Sequence, residues 1–120
     1  MGNKMIKVSV IYFFLAICVG VYMGVTHQLQ LIPVHTHLNL LGWVSLALAG
    51  LIYNQFPACN SSKLATFHFW LHVPGVPLYA IGLAFQAQAF ISLGAGISSI
   101  GVLCFIINVL INGKPKSQIS

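Results

Sequence analysis

Histidine carries almost all the reactive potential of this chain. Asp and Glu are absent, which excludes carboxylate acid–base catalysis and carboxylate metal sites, while five histidines are present: His27, His35, His37, His68 and His72. Neutral imidazole is a standard axial ligand for haem iron and an acceptable one for copper or zinc. The densest group is His35-Thr36-His37-Leu38-Asn39, at the head of an apolar run that continues through Trp43. Two positions along a helix amount to about 200° of rotation, so His35 and His37 point to opposite sides. They cannot readily chelate one ion together, but each can ligate a separate planar cofactor on its own flank. Asn39 lies one turn beyond His35 on the same face, where it can orient a ligating imidazole. His68 and His72 are spaced i, i+4 and share a face. That spacing can bind one metal, although Phe67-His68-Phe69-Trp70-Leu71-His72 lacks the Glu of a zinc-protease helix. His68 is expected near a membrane boundary with a backbone or headgroup hydrogen bond, and His72, one turn deeper, is the one expected to reach a cofactor. The cofactor-binding candidates are therefore His35, His37, His72, His27 and Asn39, with His35, His37 and His72 as metal ligands; no residue is assigned a catalytic role.

The elements that must position these side chains are membrane helices. Of 120 residues, 58% are apolar and 4% charged, against roughly a quarter charged in a soluble domain. The apolar residues form four runs, at about residues 6–26, 37–56, 66–85 and 91–111, each near the roughly 20 residues that cross a bilayer. The expected fold is all-α: an integral membrane four-helix bundle forming a single transmembrane domain. All five lysines (Lys4, Lys7, Lys63, Lys114 and Lys116) fall at the N-terminus, in the middle loop or at the C-terminus, and none in the loops at about 27–36 and 86–90. This bias puts both termini on the cytoplasmic side, in a bacterial-type inner (cytoplasmic) membrane crossed several times. Lysines so few and dispersed form no phosphate-tracking stripe, so nucleic acid is not an expected partner. The first run reads as an uncleaved helix rather than a leader. Cys18, Cys59 and Cys104 form no CxxC pair and read as small buried or loop thiols. Pro33 lies just ahead of the histidine pair, where proline is tolerated; Pro74 and Pro77 predict a kink in the third run. Small residues recur every fourth position at Ala16, Gly20 and Gly24, and again at Ser92 and Gly96, as in close helix packing within or between copies.

Taken in order, these motifs resemble the haem-copper oxidase catalytic subunit over about residues 11–85. That family has a His, then seven residues, then His-x-His opening a membrane helix, then aromatic-x-Phe-Pro, then a His-Phe-Trp segment. Here the series is His27, His35-Thr36-His37, Tyr53-Asn54-Gln55-Phe56-Pro57 and His68-Phe69-Trp70 with Gly75. The resemblance implies that His35 matches the proximal ligand of the high-spin haem and His37 an axial ligand of the low-spin haem. His27 matches a residue near the outer metal and the haem propionates, but Gln28 stands where the family has Asp. The family subunit has about twelve helices, and those that supply its copper ligands, its cross-linked tyrosine and the second low-spin haem ligand have no counterpart here. A single chain is therefore not a complete terminal oxidase. The family's helices form three four-helix arcs about a pseudo-threefold axis, so a homotrimer of this chain would match their number, with His72 or His27 of a neighbour as a second ligand.

The leading expectation is a b-type haem protein of the membrane, without CxxCH attachment, serving electron transfer or chemistry on a diatomic gas such as O2 or NO. Its electron partner would be another protein or a quinone. The alternatives are a copper- or zinc-binding membrane protein using the same histidines, and a non-catalytic structural or assembly subunit.

Overall fold

Apolar sequence of this kind has one economical conformation in lipid, the helix, because every backbone N–H and C=O is then satisfied within its own segment. The computed structural model describes residues 1–114, and all of their regular structure is helical; Lys116 and the polar tail around it lie outside the described residues. Helix α1 is Gly2–Thr26, α2 is the composite rod Leu29–Gln55, α3 is the short Pro57–Asn60, α4 is Lys63–Phe85 and α5 is Gln88–Asn112. Three of them, α1, α2 and α5, are long and apolar enough to cross a bilayer, with mean hydropathies of 2.3, 1.3 and 2.3. Their outward residues, among them Ile11, Phe14 and Val25 on α1 and Leu93, Ile100 and Leu110 on α5, are large and exposed, a surface suited to lipid rather than water. With 23 residues, α4 is about 35 Å long at 1.5 Å per residue. It carries two histidines and two prolines within its length.

Helix α2 begins earlier than composition predicts. The loop expected at residues 27–36 shrinks to His27 and Gln28, so the histidine pair sits inside the rod rather than at its start. His27 ends α1 in the left-handed conformation, φ 57°, and its N–H bonds the Met23 carbonyl at 2.8 Å. Pro33 occupies the second position of the α-helical segment Ile32–His37, where no intrahelical donor is required. From Leu38 to Val44 the rod widens into a π-helix, in which the Ser45 N–H reaches back five residues to the Leu40 carbonyl. Regular α-helix resumes at Ser45. Ser62 caps α4, its hydroxyl accepting from the Leu64 N–H at 3.1 Å.

Each long helix packs on the next, α1 on α2, α2 on α4 and α4 on α5, but no packed interface joins α1 to α5 among the described residues. The architecture is thus an open series of helices. The tightest contact is between α4 and α5. A Cβ added at Gly82, Gly94 or Gly101 would lie 2.5, 2.3 or 2.9 Å from a backbone nitrogen of Ile91, Tyr79 or His72, respectively. Glycine is what allows these two backbones to approach. The Ser92/Gly96 row does not serve this contact: a Cβ at Gly96 would meet nothing within 4 Å. The Ala16/Gly20 row packs inside the chain, Gly20 facing the His35 ring, while Gly24 faces open space.

The prolines of α4 have a specific consequence. Pro77 has no N–H for the carbonyl four residues before it, that of Val73. Tyr12 of α1 crosses beside Gly42 and donates its hydroxyl proton to this carbonyl at 2.6 Å. The helix remains continuous through both prolines, and the acceptor freed by Pro77 is answered by a side chain.

Candidate functional site

The four histidines of α2 and α4 fall into two pairs that differ in how their ring nitrogens are used. His35 and His37 project to opposite sides of α2, as their two-residue offset requires. His35 turns toward α1, where its Nδ1–H donates to the Ala16 carbonyl at 2.8 Å. Its ring fits only because residue 20 is glycine, since a Cβ there would lie 2.9 Å from His35 Cε1. Asn39, as expected, attends this histidine: its Nδ2 donates to the His35 carbonyl at 3.0 Å and lies 3.5 Å from His35 Nε2, at the outer limit of a hydrogen bond. His37 turns toward α4. Its Nδ1–H donates to the Pro33 carbonyl at 2.7 Å, and its ring meets Tyr79 edge-on, with centroids 4.8 Å apart.

Both rings are thereby held in one tautomer. A carbonyl only accepts, so Nδ1 carries the proton and Nε2 carries the lone pair. An Nδ1–H given to a backbone carbonyl is the usual support of a metal-ligating imidazole. His37 also borders an apolar cleft of about 660 Å³ between α2, α4 and α5, whose walls include Leu40, Tyr79, Ser98 and Val102. A smaller hollow of about 330 Å³ continues it, sharing Leu41, Val102 and Ile106. The larger volume lies in the range of small-molecule and cofactor sites, roughly 300–1,000 Å³. Ser98 at its edge is buried with no hydrogen-bond partner for its hydroxyl.

The second pair offers no lone pair. His68 and His72 are each 1% exposed, and all four of their ring nitrogens are engaged. Tyr53 Oη lies 2.8 Å from His68 Nδ1, His68 Nε2 lies 2.8 Å from His72 Nδ1, and His72 Nε2 lies 2.8 Å from the Leu41 carbonyl oxygen. The carbonyl end fixes every proton in this series. His72 must donate from Nε2 and therefore accepts at Nδ1; His68 must donate from Nε2 and accepts at Nδ1; the Tyr53 hydroxyl must donate. Leu41 lies in the π-helical stretch, where the return from five-residue to four-residue spacing leaves one carbonyl over. That carbonyl is next after the one Ser45 uses, and His72 supplies the donor. Phe105 packs on both Tyr53 and His68, with centroids at 5.5 and 5.1 Å.

The expected site residues therefore separate. His35 and Asn39 stand together between α1 and α2, and His37 stands alone at the cleft. His72 joins His68 rather than facing the cleft with a free nitrogen, and His68 is deeply buried with both ring nitrogens bonded to side chains, Tyr53 and His72. His27 is an exposed helix end. Among the described residues no three His, Cys, Asp or Glu side chains converge as metal ligands would. Tyr53, which the sequence sets only in the Tyr53-Asn54-Gln55-Phe56-Pro57 run, is the buried start of the hydrogen-bonded series. The shared face of His68 and His72 was its only sequence signal, since Tyr53 comes from another helix. Compared with family models, with curated proteins and with solved structures, the chain matches none of them.

Proposed function

We propose that this is a haem-binding membrane protein, with His37 as an axial ligand and His35 as a second candidate ligand on the opposite flank of α2. The observation that carries the reading is the His37 ring: Nδ1–H fixed on the Pro33 carbonyl at the edge of a 660 Å³ apolar cleft. The residues fit the group. A neutral imidazole with a supported Nδ1–H is a good iron ligand, and an apolar cleft suits a planar macrocycle. The absence of three converging ligand side chains among the described residues favours one imidazole plus a porphyrin over a copper or zinc site built from several imidazoles. Bound haem would supply a one-electron iron couple and iron able to bind a further imidazole or a diatomic gas. The chain's own part is to hold the His37 ring with its lone pair outward, to exclude water with Leu40, Val102 and Tyr79, and to keep His35 apart on the other side.

The remaining features of the reading are a four-span membrane arrangement with α4 as the fourth span, both termini cytoplasmic, and assembly as a homotrimer. The lysine distribution supports the orientation. The open helix series and the unused Ser92/Gly96 row on α5 support association of copies. A role in electron transfer or in O2 or NO chemistry, with a protein or quinone as electron partner, follows from the ligand type and from the resemblance to haem-copper oxidases. The test is the absorption spectrum of the purified protein, oxidised and then dithionite-reduced, with iron analysis. A Soret band that shifts on reduction and is lost or greatly altered in His37→Ala is the expected result. A colourless protein without iron after expression with adequate haem supply would refute the assignment.

A further inference from the structure

We infer that Tyr53 is a redox-active phenol whose proton is taken up by the His68–His72 pair, so that the chain can hold a one-electron oxidising equivalent as a neutral tyrosyl radical inside the membrane. This goes beyond haem binding and does not depend on it. Three observations carry the inference. Tyr53 is 0% exposed, and its hydroxyl makes a short, directed bond to His68 Nδ1 at 2.8 Å. The next imidazole follows at the same spacing, His68 Nε2 to His72 Nδ1 at 2.8 Å. The series ends on the Leu41 carbonyl at 2.8 Å, which can accept but never return a proton.

A phenol buried without such an acceptor resists oxidation, because the electron would leave behind a radical cation with no water to stabilise it. Here removal of one electron from the ring can be matched by two short proton movements. The Tyr53 O–H bond breaks and an N–H bond forms at His68 Nδ1; the His68 Nε2–H bond breaks and an N–H bond forms at His72 Nδ1. The products are a neutral phenoxyl radical at Tyr53, a neutral His68 in its other tautomer, and an imidazolium at His72. The His72 Nε2–H remains on the Leu41 oxygen, which stabilises the new charge. The electron goes to a high-potential metal-complex oxidant, which is reduced by one electron, and its return reverses both proton movements. The second imidazole moves the positive charge one residue away from the radical. Phe105 packs against both rings.

The experiment uses the full chain in detergent or lipid, with photogenerated tris(bipyridyl)ruthenium(III) as the oxidant and electron paramagnetic resonance as the readout. Because the oxidant is external, the outcome is separable from haem binding. A neutral tyrosyl signal is expected in the native protein and is lost in Tyr53→Phe, which leaves Tyr12, Tyr22 and Tyr79 in place. His68→Phe is expected to lower the signal about tenfold, through loss of the hydrogen-bonded proton acceptor. Fluorotyrosine incorporated at position 53 should change the hyperfine pattern without removing side-chain volume, which covers the case in which Tyr53→Phe misfolds. A signal of equal size in native protein and Tyr53→Phe, or a pattern unmoved by the fluorinated residue, would overturn the inference.

Discussion

Replacing Tyr12 by Phe removes one oxygen atom and leaves the ring, so no cavity term enters. The lost group is the donor to the Val73 carbonyl at 2.6 Å. That carbonyl cannot turn to the backbone, because the residue four positions on is Pro77. Tyr12 is 9% exposed, and its ring lies against Gly42, where even an added Cβ would approach it to 2.8 Å, so little room remains for a replacement donor. Interhelical side-chain hydrogen bonds in membranes average about 0.6 kcal/mol and reach about 1.7. Leaving a buried acceptor without any donor costs about 1–3 kcal/mol. Tyr12→Phe should therefore lie at the upper end of the membrane range, about 1.5 kcal/mol. The decisive background is Pro77→Ala, which restores an N–H to bond the Val73 carbonyl. In that background Tyr12→Phe should cost only about 0.5 kcal/mol, a coupling of about 1 kcal/mol in a double-mutant cycle. Equilibrium unfolding in mixed detergent micelles measures all four corners. Equal losses in the two backgrounds would show that Tyr12 is not answering the proline, and the account of the freed Val73 carbonyl would fail.

Other consequences follow from the same contacts. Gly20→Val should push the His35 ring off the Ala16 carbonyl, since a Cβ at that position already lies 2.9 Å from Cε1. Histidine ¹⁵N spectra should then lose the fixed Nδ1–H signature of His35, and any haem carried on that ring should bind roughly 10- to 100-fold more weakly. Gly94→Ala, whose Cβ would lie 2.3 Å from the Tyr79 nitrogen, should destabilise the fold by about 1–3 kcal/mol, whereas Gly96→Ala, facing open space, should leave unfolding unchanged; comparable losses at both would refute the assignment of the α4–α5 contact. Gly96→Trp tests association separately: the monomer should keep its helicity while cross-linked oligomer declines. Cys59 is buried, and burial pushes its thiol above the ordinary value. Less thiolate is then present at neutral pH, so aqueous maleimide should label Cys59 slowly, faster as pH rises, and fully only after unfolding; immediate labelling at neutral pH would contradict its buried position.

The helical class and the opposite orientations of His35 and His37 were legible because they follow from composition and from helix geometry alone. Helix boundaries were partly legible. Pro57 and Ser62 marked the turn between α2 and α4, but His27 gave no sign that it would close α1 in a left-handed conformation and shorten the following loop. The faces were poorly legible. In a soluble helix the apolar stripe shows which side is buried, but in α5 every side is apolar, so nothing in the pattern favours Gly94 and Gly101 over Ser92 and Gly96. The π-helical stretch was not legible at all, because the side chain that meets its freed carbonyl comes from another helix. Tyr53 was missed for the same reason, since its partner His68 lies across a turn.

A chain without carboxylates has few acceptors to set against buried N–H and O–H groups, and within apolar helices backbone carbonyls supply most of them. A regular helix uses its interior carbonyls for its own ladder, so a carbonyl left without a backbone donor arises where the ladder is disturbed. Two such carbonyls are matched by side-chain protons. Pro77 frees the Val73 carbonyl for Tyr12, and the end of the π-helical stretch offers the Leu41 carbonyl to His72. Both bonds run between helices, so each irregularity also fixes a helix–helix register: α1 against α4 in one case, α2 against α4 in the other. His37 is the residue immediately before the π-helical stretch, and Leu41 borders the cleft beside it. The bond that holds Leu41 to His72 therefore also holds the orientation in which the His37 ring meets the cleft. Loss of His72 should disturb His37 although the two rings share no bond. His72→Leu, which fills the volume but leaves the Leu41 carbonyl without this donor, should broaden or shift the His37 ring resonances while the His35 resonances stay in place. Unchanged His37 resonances would show that the π-helical stretch keeps its shape without this bond.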